Sequence, residues 1–522
     1  MNIGQNIRRW MTLVALLALV AGALPATAAS RGAQSPGAPI DPWVLRTTED
    51  GATTSFLVVL KTQADTSGAA ALATKTEKGR YVFERLYATA QSTQGSLKQY
   101  LDARGVTYRA FWIVNALVID AGDRALALDL AARPEVDRIS GNPTVHVDLG
   151  GPSAAAEQAS RLRTAVETVA WGIQNANAPL VWSAGYTGTG IVVGGEDTGY
   201  RWTHVALKSK YRGWDGATAD HDYSWHDAVH SGGGSCGANA AAPCDDWGHG
   251  THTMGTMVGG DGDGPDAYDV GMAYGAQWIG CRNMNVGDGS PDMYIECHEF
   301  MLAPTPVAGG TPDPDKAPHV INNSWTCTTG EGCTDVNILQ ASVQALVDAG
   351  IVYVASAGNA GSSCSSVSQP PAIYAASLTV GAIDVGNNLA GFSSRGPVTS
   401  DGSNRRKPDI SAPGVNILSS TIGSDTEYQD GWDGTSMAGP HVAGAVALLL
   451  DMHPELIGQV ALVRTLLETT ANPGVNATGT CGGIPATTIP NNHFGYGRLD
   501  VYSAATHVVN VYFPAVLNAA AP

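Results

Sequence analysis

Apolar residues along the chain change their spacing in a way that divides it. Phe56-Leu57-Val58-Val59-Leu60 is an uninterrupted apolar run of strand length. From about Arg80 to Ala103 the spacing turns helical, with Tyr81, Leu86, Leu97 and Leu101 at compatible intervals. Strands over Val106 to Ile113 and Ala116 to Ile119, a short helix over Arg124 to Ala132 and a strand over Val136 to Val147 follow. The order β-α-β-β-α-β predicts a small ferredoxin-like α+β domain over residues 45–149, although a generic small α/β domain reads the same way. Glycine, alanine and serine crowd Gly150 to Ala156 and mark a boundary. Beyond it, short apolar strands at Ile191–Gly194, Gln277–Gly280, Val320–Asn323 and Ile351–Ala355 alternate with helices at Thr251–Val258, Pro291–Met301 and Val336–Ala349. That alternation predicts an α/β fold, a mostly parallel sheet sandwiched by helices.

The first residues change the picture of where the chain works. Arg8 and Arg9 precede an apolar run from Met11 to Leu24, and Ala26-Thr27-Ala28 offers a small-x-small cleavage site. Residues 1–28 therefore read as an export signal, and the protein is expected to be secreted and extracellular. The tail, 506–522, is too short and broken to span a bilayer, so no stable membrane anchor is expected. A formal net charge of −18 argues against nucleic acid as a partner and fits a soluble monomer. All 8 cysteines lie between Cys236 and Cys481. In an exported chain this clustering reads as disulfides within one domain. Eight cysteines allow 105 pairings. Cys236 with Cys244, Cys281 with Cys297 and Cys327 with Cys333 would close short loops, leaving Cys364 for Cys481.

Four glycine-bearing motifs carry candidate chemistry. Gly434-Thr435-Ser436-Met437-Ala438-Gly439-Pro440-His441 sets a serine among small residues, directly before a predicted helix over Ala438 to Leu450. Small neighbours admit a substrate backbone, and the helix start directs positive partial charge at developing negative charge. Alone, such a serine reads equally as an N-cap. Upstream, Gly194-Gly195-Glu196-Asp197-Thr198-Gly199 supplies an acid and Gly248-His249-Gly250-Thr251-His252-Thr253 an imidazole. Serine needs a base to become a nucleophile, and the base needs a carboxylate to fix its tautomer. The assignment is Ser436 as nucleophile, His249 as general base and acid, and Asp197 as orienting carboxylate. His252, one helical turn on, is the rival imidazole and is expected to pack inside the helix. Asn359, in Ser356-Ala357-Gly358-Asn359-Ala360-Gly361 after a strand, offers an amide to an oxyanion, with the Ser436 N–H as second donor. Its bland reading is a turn residue.

These motifs, in the order Asp, His, Ser, resemble those of subtilisin-like serine peptidases. Asn322-Asn323-Ser324-Trp325, Phe392-Ser393-Ser394-Arg395-Gly396-Pro397 and Lys407-Pro408-Asp409-Ile410-Ser411-Ala412-Pro413-Gly414 are similar to the bacillopeptidase F branch. The resemblance runs from about Trp171 to Ala505 and implies a peptidase domain with a seven-stranded, mostly parallel sheet. It implies an endopeptidase acting on proteins or peptides through an acyl-enzyme. Residues 45–149 resemble the inhibitory propeptide of such enzymes, which would be an intramolecular partner. Substrate-binding edges map onto Gly287, Asp288 and Gly289 and onto Ser324, Trp325 and Thr326. Ser356, Ala357 and Gly358 map onto the second wall of the primary pocket. Thr326 stands where the family usually has glycine.

No cofactor is required by this chemistry. Asp261-Gly262-Asp263-Gly264-Pro265-Asp266 sets hard oxygen donors close together, so Asp261 and Asp263 are candidate calcium ligands, yet a solvated acidic turn reads the same. In the family resembled, a distant aspartate completes such a site, and it maps onto Ala206. His221, Asp222, His226, Asp227 and His230 form a cluster of zinc-binding types, here read as a surface loop. A metal hydrolase built on Asp245, Asp246, His249 and His252 is the rival enzyme class, and it leaves Ser436 and Asn359 unexplained. Sedolisin-like acid peptidases share the Gly-Thr-Ser pattern but use a glutamate base, which His249 argues against.

Overall fold

The computed structural model describes residues 37–146, 151–152, 169–232, 234–260 and 270–512. In its leading part, β1 (Thr54–Leu60), β2 (Tyr108–Phe111), β3 (Ala116–Gly122) and β4 (Val136–Gly141) form an antiparallel sheet in the order β2-β3-β1-β4. With helices α1 (Lys75–Thr93), α2 (Gly95–Asp102) and α3 (Arg124–Ala131), this is the ferredoxin-like arrangement expected. Two expectations need correction. The helix over 80–103 starts earlier, where Thr74 and Glu77 cap each other reciprocally, and is interrupted at Gln94. The buried Gln94 amide donates to the Phe111 carbonyl at 2.8 Å and to Asn115 Oδ1 at 2.9 Å. The strand over 136–147 also divides. Its end, Val145–His146, leaves β4 and pairs antiparallel with Asp288–Gly289, far along the chain.

The larger part is built on seven parallel strands: β5 (Val192–Asp197), β6 (Trp225–Asp227), β7 (Gln277–Arg282), β8 (Val320–Asn323), β9 (Val352–Ser356), β10 (Leu378–Ile383) and β11 (Ile410–Pro413). Their order is β11-β10-β9-β8-β5-β7-β6. Helices α4 (His249–Val258) and α7 (Thr435–Met452) cover one face, and α5 (Pro291–Leu302) and α6 (Gln340–Asp348) the other. Alternation along the strands explains why they are apolar throughout. Val320, Val352 and Val354 pack with Met254 and Val446 on one side, whereas Ile321 and Tyr353 pack with Ile295 and Leu346 on the other. Strands β6, β10 and β11 were not foreseen, being short runs broken by small or polar residues. Helix α6 begins at Gln340, later than the Val336 expected.

Residues from Ala38 onward form one compact unit. Leu57, Val59, Val82 and Leu86 of the leading domain share an apolar cluster with Ile295 and Leu346. The half-buried Glu299 carboxylate accepts from the Trp112 and Ile113 amides, and desolvation pushes its pKa up to about 8. Lys78 Nζ donates to the Gly458 carbonyl at 2.6 Å. The disulfides are the four expected: Cys236–Cys244, Cys281–Cys297, Cys327–Cys333 and Cys364–Cys481. The candidate signal, the candidate calcium ligands Asp261 and Asp263, and residues 513–522 of the tail lie outside the described residues. Among the described residues no helix is long and apolar enough to cross a membrane.

Candidate active site

Parallel strands deliver their C-terminal ends to one edge of the sheet, and the candidate residues gather there. Asp197 ends β5, Ser324 follows β8, and Ser356 ends β9. Register aligns them, since Asn323 sits opposite both Glu196 and Ala355. Helix α4 then closes on β5 through a backbone approach that only glycine permits. A Cβ on Gly250 would lie 2.1 Å from the Gly199 carbonyl oxygen. The result is a buried contact of 2.7 Å between His249 Nδ1 and Asp197 Oδ1. Asp197 also accepts from the Thr198 amide at 2.7 Å and from the Thr253 hydroxyl at 3.2 Å. Three donors offset the cost of holding this carboxylate away from water.

The α4 start is braced by a second buried acid. Asp245 accepts from the amides of Trp247, Gly248 and Thr251 and from the hydroxyls of Thr198 and Thr251. Asp245 is therefore committed to the helix terminus, as its position before α4 allows. His252 turns away, stacking on Trp432 at 4.6 Å with Nε2 3.3 Å from the Ile417 carbonyl. Burial, with His249 nearby, lowers its pKa to about 3, so it stays neutral. Asp246 accepts from the Val286 amide at 3.0 Å, and among the described residues no group of three or more His, Cys, Asp or Glu side chains is placed to hold a metal ion. His226 and His230 both bond Glu296, at 2.8 and 2.9 Å, while His221 bonds the Tyr211 hydroxyl. Ala206 is a buried methyl and supplies no side-chain oxygen to a calcium site.

Helix α7 starts three residues earlier than expected and carries Ser436 in its first turn. The reason is local. Pro440 lacks the N–H that would bond the Ser436 carbonyl, and the Ser324 hydroxyl donates there instead at 2.9 Å. Ser356 Oγ donates to the Thr435 carbonyl at 2.9 Å. The Ser436 hydroxyl donates to the Ser324 carbonyl at 2.9 Å, and His249 Nε2 has no hydrogen-bond partner among the described residues.

Asn359 is oriented by Thr435, a residue whose part sequence reasoning missed. The Thr435 amide and hydroxyl both donate at 2.9 Å to Asn359 Oδ1. An amide N–H can only donate, so the oxygen must face Thr435 and the NH2 must face the other way. A Cβ on Gly434 would lie 3.5 Å from the Ser436 nitrogen and 3.6 Å from Asn359 Nδ2, so both groups border one small space that glycine keeps open. Next to it opens a pocket of about 310 Å³ between Ser324-Trp325-Thr326 and Ser356-Ala357-Gly358. The Trp325 ring points inward, stacked on Tyr294 at 3.8 Å, so its backbone is what borders the cleft. Gly287, Asp288 and Gly289 do not line this pocket; Asp288–Gly289 carries Val145–His146 as an added strand, and His146 lines the pocket.

Beyond Ser436, Gly151–Pro152 pairs antiparallel with Trp432–Asp433. The chain is thus paired at Val145–His146 on one edge and at Gly151–Pro152 just before the serine motif.

The subtilase family profile matches residues 188–497. Bacillopeptidase F of Bacillus subtilis (strain 168) is 34% identical over 482 residues, covering 88% of this chain and 32% of that protein. Subtilisin E of the same organism is 32% identical over 308 residues, covering 58% of this chain and 66% of its own length. An alkaline protease of Shouchella clausii is 29% identical over 318 residues. The chain spans about a third of the length of Bacillopeptidase F and just under two thirds of Subtilisin E.

Proposed function

This chain belongs to the subtilase family, and from that premise we propose that it is a secreted serine endopeptidase made as a zymogen. Residues 1–28 are its export signal, 45–149 its inhibitory propeptide and 171–505 its catalytic domain, with a short tail over 506–522. The reading is carried by the buried Asp197–His249 contact at 2.7 Å, beside a serine in the first turn of an 18-residue helix.

The chemistry runs through four residues. Ser436 Oγ rotates to His249 Nε2, gives up its proton and bonds to the substrate carbonyl carbon. The carbonyl oxygen becomes negative between Asn359 Nδ2 and the Ser436 N–H. Collapse breaks the peptide C–N bond, the leaving amine takes the proton from Nε2, and an ester remains on Ser436. Water, deprotonated by His249, attacks that ester, and its collapse releases the acid product and returns the proton to Oγ. Asp197 stays ionised throughout, holding Nδ1–H and stabilising the imidazolium. The cycle consumes only water. A fluorophosphonate is expected to abolish hydrolysis of a denatured protein, and a chelator added at the start of the assay to leave it running. Resistance to the phosphonate would overturn the reading.

Substrate binds as an extra strand on Gly287–Gly289 and Ser324–Thr326, with main-chain bonds supplying affinity. The pairing of Val145–His146 with Asp288–Gly289 supports this, because a segment of the leading domain already lies there. Pairing resumes at Gly151–Pro152 beside the serine motif, so the maturation cut falls between the two paired stretches. Terminal sequencing of the processed enzyme is expected to give a first residue between 147 and 151. A first residue upstream of β4, or downstream of Trp171, would contradict this docking.

A further inference from the structure

The pocket beside Ser436 carries a charge that the catalytic cycle does not use. Its side walls, Thr326 and Ser356 among them, adjoin the oxyanion space, and Ser368 and Gln369 also line it. Glu331 lines it as well, and it is the only acidic side chain that the catalytic domain contributes to the described lining. Glu331 is half-buried and held in place. It lies inside the loop closed by Cys327–Cys333, and its Oε2 accepts from the Thr328 hydroxyl. The loop is tied to the pocket's far wall: the Cys327 amide donates to the Pro370 carbonyl at 2.9 Å, and the Thr329 amide to Gln369 Oε1 at 3.1 Å. Hydroxyl and amide side chains line much of the rest, while apolar atoms supply the larger share of the surface and would receive the aliphatic stem of a long cationic side chain. A cation entering here would meet a fixed carboxylate and several neutral acceptors. An acidic side chain would meet like charge.

We propose that Glu331 makes this pocket select lysine or arginine at the substrate residue whose carbonyl is attacked. The proposal rests on the peptidase reading above and names its substrate class. Selection follows because a half-buried carboxylate attracts a long cationic side chain once water between them is displaced, whereas a neutral ring of similar length gains nothing from the charge. The Cys327–Cys333 loop keeps the carboxylate from swinging out to solvent, so the preference is built in.

The test uses the processed enzyme and three tetrapeptide p-nitroanilides that differ only in ending on lysine, phenylalanine or glutamate. The parent is expected to show kcat/KM in the order lysine, phenylalanine, glutamate. In Glu331→Gln the lysine-to-phenylalanine ratio should fall at least about tenfold, equivalent to about 1.4 kcal/mol. Glu331→Lys should raise the glutamate substrate above the lysine one. A ratio unchanged in both variants, or a parent that prefers phenylalanine, overturns the inference while leaving the peptidase reading standing. A parent that cleaves none of the three and no denatured protein overturns the reading itself.

Discussion

Replacing Ser436 with alanine is expected to leave a folded chain whose peptide hydrolysis is slower by about a million-fold, the order that loss of the nucleophile costs in subtilisin, a relative from which the figure is taken over. Folding should survive because, among the described residues, the Ser436 side chain makes one hydrogen bond, to the Ser324 carbonyl. Losing one such bond costs about 1 kcal/mol. The α7 start keeps its other supports, Ser324 on the Ser436 carbonyl and Ser356 on the Thr435 carbonyl. Activity should collapse because the serine hydroxyls bonded to the start of α7 are already engaged. Ser324 and Ser356 are committed to those carbonyls, and His252 is buried, neutral and turned to Trp432. The same variant should accumulate as uncleaved precursor on a denaturing gel if maturation is autocatalytic. Parent-like hydrolysis by the purified alanine protein would remove Ser436 from the chemistry.

Asn359→Leu should lower turnover by about a hundred- to a thousand-fold, with the Michaelis constant changing little. That magnitude too is subtilisin's, for the corresponding donor, and is carried over rather than obtained from this chain. The direction comes from the geometry. Asn359 Nδ2 borders the space beside the Ser436 nitrogen, where an oxygen is charged only in the transition state, so ground-state binding is spared. The leucine also strips Thr435 of its acceptor, since the Thr435 amide and hydroxyl both donate to Asn359 Oδ1. A stability loss of about 1–3 kcal/mol is therefore expected alongside the kinetic one. Asn359→Asp separates the two effects. It keeps an acceptor for Thr435 but replaces the NH2 with a second oxygen, so turnover should fall at least as far while the thermal midpoint stays closer to the parent's. Parent-like turnover in both variants, with folding intact, would return Asn359 to a turn residue.

Local features made the candidate site's motifs legible in the sequence. Asp197, His249, Asn359 and Ser436 each lie in a short glycine-bearing motif at the end of a strand or the start of a helix, and such motifs need no knowledge of distant partners. Three disulfides close the short loops that spacing suggested, and Cys364–Cys481, 117 residues apart, joins the remaining pair. What escaped depends on contacts between distant residues. Val145–His146 continues a strand-like run, yet its partner is Asp288–Gly289, and nothing within the run says where β4 must stop. Leu378–Ile383 is apolar but interrupted by Gly381, and its strand character comes from lying between β9 and β11. Thr435 gains its part only once Asn359 is beside it, and Glu331 only once its disulfide loop folds against Gln369. The metal-binding types at Asp245 and His226 were visible in sequence. Their partners, a helix terminus and Glu296, were not.

The central claim is that Ser436, activated by His249, is the nucleophile. The most direct measurement is peptide-level mass spectrometry of the purified enzyme after a fluorophosphonate has brought its activity to zero. The account predicts one adduct per chain, on Ser436, forming in step with the loss of activity and failing to form when His249 is replaced by alanine. An adduct on any other residue, or full inactivation with Ser436 unmodified, would contradict it.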